Sequence, residues 1–423
     1  MRRVTPSLVI LADDLSGAAD CGIVCTQAGL DTLVLLGDSP DAAYADVLSI
    51  DADTRSRSEV EAVAETARLT RRYAALGQLL YKKLDSTLRG HVGPELAATL
   101  RTRREAGPAR IVMAPAFPAT GRTTVGGVQL LHGTPLERTE MWQREGVQHS
   151  AHIPEMMHRA GLRTAHLALG QVRRPGLPGV VAACRDHDAV VCDAETEADL
   201  QAIASASIPL GPGTVWAGSA GLARYLPVAA GIARTPRPAT VPPVDGPILF
   251  VVGSLSHVSR EQVAHLELGA AVRRVTVPAA ILRAGPQHPR WAAVDRALDQ
   301  AVRSGQDVVA VLGSGAQIDL AEGLRLCRGL ARMVAPHGPR IGALVSTGGE
   351  TARAMLQAFN ASGLRLIGEI EPGVPLSTAE GIRHLPVVTK AGAFGTRGTL
   401  VRCRAILRRG ATAFGPSPEI NRP

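Results

Sequence analysis

The chain has 423 residues, of which 45% are hydrophobic and 3% aromatic, and its formal net charge is +8. This length favours two domains, and so few aromatic rings argue against a protein that binds single-stranded nucleic acid by stacking. The arginines are scattered rather than arranged in one stripe, so the positive charge suits a small anionic ligand.

The cysteine pattern and the apolar runs predict a cytoplasmic protein with no membrane or nucleic-acid partner. The six cysteines include no CxxC pair, and the twelve histidines include no HExxH or similar spacing. We therefore expect no disulfides and no metal site recognisable from ligand spacing. No stretch approaches the uninterrupted apolar length of a membrane span.

The first predicted strand ends in two adjacent carboxylates. Residues 7–12 form a continuous apolar run, typical of a buried parallel strand, and Asp13 and Asp14 follow it before a helical pattern. Adjacent carboxylates are costly unless cations neutralise them, so the pair suits a metal ion, a general base, or a salt bridge to Lys82 or Lys83. One of them could instead cap the helix. We expect one cap and one working residue.

Lysine is rare in this chain, and two lysines stand together. Only three of the 46 Lys and Arg residues are lysine, and the third is Lys390. Lysine is expected where a compact, strongly hydrated charge is needed. Residues 78–81 predict a short strand, whose carboxyl end is where open α/β sheets bind ligands. The polar side chains there are Lys82, Lys83, Asp85, Ser86 and Arg89.

We expect Lys83, Ser86 and Arg89 to hold a small oxyanion while Asp85 positions them. The alternative is a solvated turn with an Asp–Arg pair.

Other segments of the first half follow the same strand–helix alternation. A polar loop over 53–57 follows a strand predicted at 47–51. The loop after residue 115 is rich in glycine and hydroxyl groups and carries Arg122. It could wrap a small ligand, or form an Ω-type loop without chemistry. Residues 134–160 show little pattern and predict an irregular connection.

A proline-rich stretch separates the two halves. Residues 234–243 contain four prolines, which is typical of a semi-extended linker. We therefore predict an N-terminal domain over 1–233, a linker over 234–246 and a C-terminal domain over 247–423. Because strands alternate with helices in both halves, we expect two α/β domains with mainly parallel sheets.

Two strand-to-helix turns in the second half are rich in glycine and hydroxyl groups. The first contains Ser254 and Ser256 after an apolar run, where backbone amides could meet phosphate. The second contains Gly348, Gly349, Glu350 and Thr351. Its glycines would let the backbone approach a nucleotide, and Glu350 could bind a ribose hydroxyl or a hydrated metal ion. The alternative is a tight turn with Glu350 in the first helical turn.

Two further glycine turns differ in how strongly they indicate a phosphate-binding site. Gly313 opens a GxG sequence that lacks the third glycine of a dinucleotide fingerprint, and the chain contains no GxxxxGK[ST] P-loop. Lys390 ends a predicted strand and precedes Gly392 and Gly395. A point charge beside open backbone amides has the form of a phosphate clamp.

Several motifs occur together in one order along residues 8 to 400. They are LADDLSGAAD, KKLDSTLRGHVGPEL, APAFPATGRTTVGG, VVGSLSHVSREQV, STGGETA, GEIEPGVPLS and VTKAGAFG. On these motifs the chain resembles the four-carbon acid sugar kinase family, which comprises D-threonate, D-erythronate and 3-oxo-tetronate kinases. The KKLDSTLRG form resembles the threonate/erythronate branch.

The resemblance implies an N-terminal domain that binds the acid sugar and a C-terminal domain that binds the nucleotide. It also implies ATP contacts at Ser254 or Ser256, from Gly348 to Thr351, and around Gly392. The family motif commonly reads KSGGFG, whereas Ala391 and Ala393 replace a serine and a glycine here. We therefore expect backbone contacts, rather than a hydroxyl contact, at that turn.

The expected activity is ATP- and Mg²⁺-dependent phosphorylation of the 4-hydroxyl of D-threonate or D-erythronate, with a 3-oxo-tetronate as the alternative. Lys83, Ser86 and Arg89, with Arg122, would bind the acid sugar. Asp13 or Asp14 would orient or deprotonate the attacking hydroxyl, and Lys390 would offset charge on the transferring group.

Two other classes stay open: an NAD(P)-dependent oxidoreductase using the Gly313 turn, and a non-catalytic sugar-acid sensor. If the chain assembles, we expect a homodimer.

Overall fold

The computed structural model describes residues 6–38, 45–75, 77–144, 150–236, 240–241, 243–254, 256–313, 320–382, 384–392 and 394–412. The chain divides into two compact units, Met1–Thr235 and Pro236–Pro423, and each has its own hydrophobic core. The division lies inside the predicted linker. Both units alternate strands and helices around mostly parallel sheets, as predicted.

The first unit is built on a parallel sheet in the order β2-β3-β1-β4-β11-β5-β10-β9, with helices packed against it. A separate antiparallel sheet comprises β6, β7 and β8. The strands are β1 (Leu8–Ala12), β2 (Thr32–Leu35), β3 (Val47–Asp51), β4 (Leu79–Lys83), β5 (Arg110–Ala114), β6 (Arg122–Val125), β7 (Val128–Leu131), β8 (Thr134–Pro135), β9 (Thr164–Leu167), β10 (Ala189–Cys192) and β11 (Thr214–Gly218). The helices are α1 (Leu15–Gln27), α2 (Glu59–Tyr73), α3 (Val92–Arg104), α4 (Glu140–Arg144), α5 (Ile153–Arg159), α6 (Leu169–Val172), α7 (Leu177–Ala183), α8 (Glu197–Ser207), α9 (Ala220–Ala223) and α10 (Leu226–Ala229).

Parallel pairing in the middle of this sheet determines which loops meet. Every residue of β1 is buried, because helices cover both faces of the sheet. Ala12 pairs with Asp51 on one side and with Lys83 on the other. The segments that follow β1, β3 and β4 therefore leave the sheet at the same edge.

Two segments of the first unit differ from the sequence prediction. The loop after residue 115 is a short 3₁₀ turn followed by the β6–β7 hairpin, not an Ω-type loop. Gly126 and Gly127 form its turn with φ of 60° and 74°, the left-handed backbone that a tight hairpin turn requires. The connection predicted over 134–160 contains α4 and α5, which are too short to show a helical period in the sequence.

The second unit is built on a mixed sheet in the order β14-β15-β13-β16-β19-β18-β17. The pairs from β14 to β19 are parallel, whereas β18 is antiparallel to both of its neighbours. The strands are β12 (Thr240–Val241), β13 (Ile248–Val252), β14 (Val272–Val277), β15 (Asp307–Leu312), β16 (Ala343–Thr347), β17 (Gly363–Glu369), β18 (Pro375–Glu380), β19 (Pro386–Lys390) and β20 (Ala411–Thr412). The helices are α11 (His257–Gly269), α12 (Ala279–Ala284), α13 (Trp291–Arg303), α14 (Leu320–Val334), α15 (Gly349–Ala358) and α16 (Thr399–Arg409).

The carboxyl ends of β13, β16 and β19 lie at one edge of the second sheet, because these strands are parallel neighbours.

Across the described residues, no helix combines the length and apolarity that a bilayer span requires.

A buried ion pair joins β4 to α3. The Lys82 ammonium lies 2.5 Å from Glu95 Oε2, and the two side chains are 1% and 2% exposed. The hydroxyl of Thr66, on α2, donates to the same carboxylate oxygen at 3.1 Å. Because both charged groups are buried, removing one partner leaves the other as an uncompensated charge in the protein interior.

We predict that Lys82→Met lowers the free energy of unfolding by about 3–5 kcal/mol, because it leaves Glu95 buried without a cation. The double variant Lys82→Met/Glu95→Leu should recover most of this loss, since an apolar pair of similar volume needs no compensation. Urea unfolding at neutral pH measures both. Equal losses in the single and double variants would contradict this explanation.

Candidate active site

Arg55 lies among three carboxylates at the loop edge of the first sheet. Its Nε and Nη2 donate to Asp13 Oδ2 and Oδ1 at 2.7 and 2.9 Å. Its Nη1 donates to Asp14 Oδ2 at 2.7 Å, and Nη2 lies 3.8 Å from Asp85 Oδ1. The guanidinium plane thus binds one carboxylate at two points and a second at one point, which fixes their relative orientation.

The backbone after β3 carries Arg55 to this position. The amides of Thr54 and Arg55 both donate to the carbonyl of Asp13, at 3.0 and 3.2 Å. Asp53 has a φ of 54°, and its amide donates to Asp51 Oδ1 at 2.9 Å. An aspartate tolerates this left-handed backbone better than most residues, and the bend folds the loop over the end of β1.

The two adjacent aspartates have different roles. Asp14 is the N-cap of α1, and its Oδ1 accepts from the Gly17 amide at 2.8 Å. Asp13 makes no cap and is held through both oxygens by Arg55. The structure thus shows the cap that we expected from one of the pair. Of the three roles considered for the pair, the structure shows a salt bridge, which is made to Arg55 rather than to Lys82 or Lys83.

Asp85 organises the loop after β4. Its Oδ2 accepts from Arg89 Nε at 2.7 Å and from the hydroxyl of Thr87, and its Oδ1 accepts from Arg89 Nη2 at 3.1 Å. The Asp–Arg pair considered as the alternative is therefore present, and it lies beside Arg55 rather than on a free surface turn. Ser86 is partly exposed in the same loop.

The two adjacent lysines lie on opposite faces of the sheet, since neighbouring strand residues alternate. Lys83 Nζ donates to the Leu84 carbonyl at 2.8 Å, on the face that packs against α1. A Cβ atom on Gly17 would lie 2.9 Å from this nitrogen and 2.7 Å from Asp14 Oδ1. Lys82 instead pairs with Glu95. The expectation that Lys82 contacts a ligand therefore conflicts with its position, and we leave Lys82 out of the site.

Arg122 reaches this edge from the first residue of β6. Its Nη1 donates to the Thr120 carbonyl at 2.6 Å, whereas its buried Nε has no hydrogen-bond acceptor among the residues that the structure describes. Burial lowers the pKa of Arg122, Asp85 opposes this shift, and Arg89 adds to it. The guanidinium is therefore close to both of these residues and keeps donor capacity for an added anion.

We call this set the Arg55 cluster, and its members are Asp13, Asp14, Arg55, Lys83, Asp85, Ser86, Arg89 and Arg122. Its four cations exceed its three carboxylates by one charge, so a ligand with a single negative charge would neutralise it.

The charges in the Arg55 cluster hold one another ionised. Burial alone would raise the pKa of Asp13, but Arg55, aided by the lysines of β4, lowers it below its ordinary value. Burial likewise opposes ionisation of Asp85, yet Arg89 and Arg55 hold its pKa well below the usual range. Burial would lower the pKa of Lys83, but its neighbours Cys21 and Asp13 raise it. The site is therefore an array of fixed charges at neutral pH.

In the second unit, the ends of β13 and β19 meet at Gly392. The hydroxyls of Ser256 and Ser259 each donate to the Gly392 carbonyl at 2.8 Å. A Cβ atom at Gly392 would lie 2.2 Å from Ser254 Oγ, so this close approach requires glycine. Ser256 also caps α11.

Lys390 lies beside this contact. Its Nζ donates to the carbonyls of Ala391 and Gly392 at 2.9 and 3.3 Å. Burial lowers the pKa of Lys390 to about 8, although the carboxylate of Glu371 opposes the shift. Because this pKa lies close to neutral pH, an anion that binds nearby would favour the charged form of Lys390.

The turn at the start of α15 packs against the same region. Gly348 has a φ of 98° and donates its amide to the Lys390 carbonyl at 2.8 Å. Gly349 and Glu350 are partly exposed in the first helical turn. Thr351 is only 1% exposed, and its hydroxyl lies 3.3 Å from Cys327 Sγ. Its side chain therefore packs inside the unit, and the nucleotide contact expected at this position stays a prediction.

The remaining predicted positions are less informative. Gly313 directly follows β15, and its amide donates to the Val277 carbonyl at 2.9 Å, but the rest of its GxG turn, residues 314–319, lies outside the described residues. Gly395 is exposed with a φ of 85°, and Ala393 is also outside the described residues. Within the described ranges, no three His, Cys, Asp or Glu side chains are grouped to hold a metal ion.

Arg55 is the principal residue that the sequence analysis missed. The loop over 53–57 was marked as polar, but no role was assigned to it. The signal was available, because this loop follows a predicted parallel strand and so should meet the other strand ends.

Comparison with known proteins identifies both units. A family model for a sugar-binding N-terminal domain matches residues 8–226, and one for a nucleotide-binding C-terminal domain matches residues 249–400. The chain belongs to the four-carbon acid sugar kinase family. The predicted class, an ATP-dependent acid sugar kinase, is confirmed, and the oxidoreductase and sensor alternatives are set aside.

Curated members of the acid sugar kinase family match nearly the whole chain. A D-threonate kinase of Cupriavidus necator is 41% identical over 93% of this chain and 96% of that protein. A D-threonate kinase of Bordetella bronchiseptica is 34% identical, covering 95% and 98%. A D-erythronate kinase of Heliobacterium modesticaldum is 29% identical, covering 94% and 96%.

Solved structures share the fold of this family member. A Salmonella typhimurium protein superimposes with a TM-score of 0.78 at 22% identity, covering 94% of this chain and 98% of that one. A Haemophilus influenzae protein gives a TM-score of 0.73 at 19% identity, covering 94% and 100%.

We predict that Arg55→Met lowers the free energy of unfolding by about 3–5 kcal/mol at neutral pH, because it leaves Asp13 buried without its cation. The native pKa of Asp13 is lowered, so its pairing stabilises the fold above the unfolded-state pKa of about 3.9 and is lost as the pH falls through the native pKa. The deficit of the variant should therefore shrink on acidification, as measured by denaturant unfolding at several pH values.

The control is Arg57→Met, on the same loop. Arg57 is 37% exposed and lies 3.4 Å from Asp53, so its loss should cost at most about 1 kcal/mol. Equal effects of the two substitutions would contradict the assigned role of Arg55.

Proposed function

We propose that this kinase transfers the γ-phosphoryl group of ATP, as its Mg²⁺ complex, to the 4-hydroxyl of D-threonate. The observation that carries the proposal is the Arg55 cluster, a partly buried array with one excess positive charge in a unit that matches a sugar-binding family. Three curated D-threonate kinases are 31–41% identical to this chain, against 29% for a D-erythronate kinase and 27–28% for two 3-oxo-tetronate kinases.

Within the proposed complex, Arg122 and Lys83 bind the substrate carboxylate. Within the described residues, the Nε of Arg122 has no acceptor and the Lys83 ammonium donates to the Leu84 carbonyl, so both have donors to offer. Arg89 and Ser86 bind hydroxyl groups of the sugar acid. The single carboxylate of a tetronate would balance the single excess charge of the site, which supports a monoanionic substrate over a diacid.

Asp13 orients the attacking 4-hydroxyl group. With a pKa below its ordinary value, its carboxylate is a weak base and a dependable hydrogen-bond acceptor at neutral pH. Phosphoryl transfer through a loose transition state needs alignment of the nucleophile more than early proton removal. Asp14 serves as the cap of α1 and supports Arg55.

In the second unit, Lys390 and the backbone around Gly392 and Gly348 bind the triphosphate. Lys390 supplies a compact charge, and the glycines allow close backbone approach. Mg²⁺ would be held mainly by phosphate oxygens and water, with Glu350 as the candidate protein carboxylate, since Mg²⁺ commonly keeps several waters beside one or two carboxylates. When bound, the ion neutralises phosphate charge.

The proposed substrate is tested by ATP-coupled turnover with D-threonate, D-erythronate, L-threonate and 3-oxo-tetronates. We expect kcat/KM for D-threonate to exceed that of each alternative at least about tenfold, because a site that hydrogen-bonds a hydroxyl disfavours analogues that misplace it. The product should be the 4-phosphate by phosphorus NMR. Turnover that is independent of added tetronate, or preference for another acid, would overturn this assignment.

The lowered pKa of Lys390 predicts a pH-dependent affinity for ATP. The charged form binds phosphate, and the free amine gains population as the pH rises through about 8. The dissociation constant of ATP should therefore rise roughly tenfold between about pH 7 and pH 9, by calorimetry without acceptor. In Lys390→Arg, whose guanidinium stays charged, the constant should be nearly independent of pH. Parallel pH profiles for both proteins would contradict the assignment.

A further inference from the structure

We infer that Gln129 is a positioning residue that holds the Arg122 hairpin against the Ser86 loop, so that two separate segments present one acid-sugar site. The inference rests on the proposed function and adds a residue that does not itself touch the substrate. Arg122 stands on β6 and Ser86 in the loop after β4. Their spacing must be fixed closely if both are to bind one small molecule.

Gln129 is fully buried on β7, and its amide joins three segments. Its Nε2 donates to the Ser86 carbonyl at 2.9 Å and to the Pro115 carbonyl at 3.4 Å. Its Oε1 accepts from the Thr124 hydroxyl at 2.6 Å. Because Nε2 faces two carbonyl acceptors and Oε1 faces a hydroxyl donor, the hydrogen-bond network defines the amide orientation.

The cross-strand partner of Gln129 maintains this orientation. Thr124 lies directly opposite Gln129 in the β6–β7 register, so its hydroxyl reaches Oε1 within the hairpin itself. The hydrogen bond from Thr124 on β6 therefore fixes the orientation in which the Gln129 amide contacts the Ser86 loop. A buried side chain with all its contacts satisfied is rigid, and it transmits the position of one segment to the other.

The far end of the hairpin is anchored independently. Both oxygens of Asp193, which is 1% exposed, accept from the turn amides of Gly126 and Gly127, at 2.7 and 2.9 Å. The backbones of Thr124 and Ala194 exchange hydrogen bonds of 2.8 and 3.0 Å. Loss of the Gln129 amide should therefore leave the hairpin folded and remove its connection to the Ser86 loop.

The base of the hairpin directs Arg122. The backbones of Phe117 and Arg122 exchange hydrogen bonds of 2.8 and 3.1 Å, and the Thr120 carbonyl accepts from the Arg122 guanidinium. Movement of β6 relative to the Ser86 loop would thus carry Arg122 with it. The expected consequence is weaker binding of the acid sugar without a change in nucleotide binding.

The test compares Gln129→Met with Gln78→Met. Gln78 is 5% exposed in the same unit, and its amide also makes two hydrogen bonds, from the Ala75 amide at 2.8 Å and to the Pro6 carbonyl at 2.9 Å. Both variants lose a buried amide and should show similar decreases in Tm. Only Gln129→Met should raise the dissociation constant of D-threonate, measured by calorimetry without nucleotide, by about tenfold or more.

Steady-state kinetics provide the second measurement. For Gln129→Met, KM for D-threonate should rise by a similar factor, while KM for ATP and kcat at saturating acid sugar should stay within about twofold. Gln129→Glu places a carboxylate oxygen against the Ser86 carbonyl and should weaken D-threonate binding at least as strongly. If Gln129→Met does not unfold cooperatively, Thr124→Val, which removes the orienting hydroxyl, decides the question and should act in the same direction.

Each outcome has a defined meaning. Wild-type affinity for D-threonate in Gln129→Met, with or without a lower Tm, overturns the positioning role and leaves the proposed function intact. Equal losses of affinity in the Gln129 and Gln78 variants overturn it as well. A wild-type protein that binds no tetronate overturns the proposed function and this inference with it.

Discussion

The Arg55 cluster of the first unit depends on one guanidinium group, that of Arg55 itself. Arg55 binds Asp13 at two points and Asp14 at one, and it lies near Asp85. Without it, three carboxylates would crowd the end of a buried sheet, where like charges raise one another's pKa. With it, the pKa values of Asp13 and Asp85 are lowered, and both carboxylates stay ionised and in defined places. Arg55 itself is bound to protein carboxylates, and it sets the geometry of the neighbouring groups without itself having to bind a ligand.

The pKa values of Lys83 in the first unit and Lys390 in the second unit are shifted in opposite directions. Neighbouring groups raise the pKa of Lys83, so it is charged whether or not a ligand is present. Burial lowers the pKa of Lys390 to about 8, so its charge responds to what binds beside it. A permanent charge suits a substrate carboxylate that changes little during the reaction. A responsive charge suits a phosphate group whose charge shifts in the transition state.

The sequence predicts the strands that carry the site, because both faces of these strands are buried. The apolar runs at β1 and β13 are continuous for that reason, and the polar residues after them mark the strand ends. Strand β14 is not evident from the sequence, since two adjacent exposed arginines, Arg273 and Arg274, interrupt its apolar residues. Strand β9 is four residues long and mostly half-buried, so its apolar signal is weak.

Side-chain direction was harder to predict than strand position. Lys82 and Lys83 are the same residue type, and the alternation of a strand places one on each face of the sheet. Because both faces of β4 are buried, the sequence pattern does not show which lysine faces the site. Arg55 and Arg57 stand on one polar loop, and the left-handed bend at Asp53 precedes the arginine that turns inward. Gln129 could not be selected at all, because its role depends on a hairpin pairing with distant segments.

The central claim is that Arg55 keeps the Asp13 carboxylate ionised inside the protein. Carbon-detected NMR titration of aspartate-labelled protein, with Asp13→Asn to assign the signal, measures this directly. We predict that the Asp13 carboxyl stays ionised below the ordinary aspartate pKa of about 3.9 in the wild type and titrates above that value in Arg55→Met. An Asp13 carboxyl that titrates at or above the ordinary value in the wild type would contradict it.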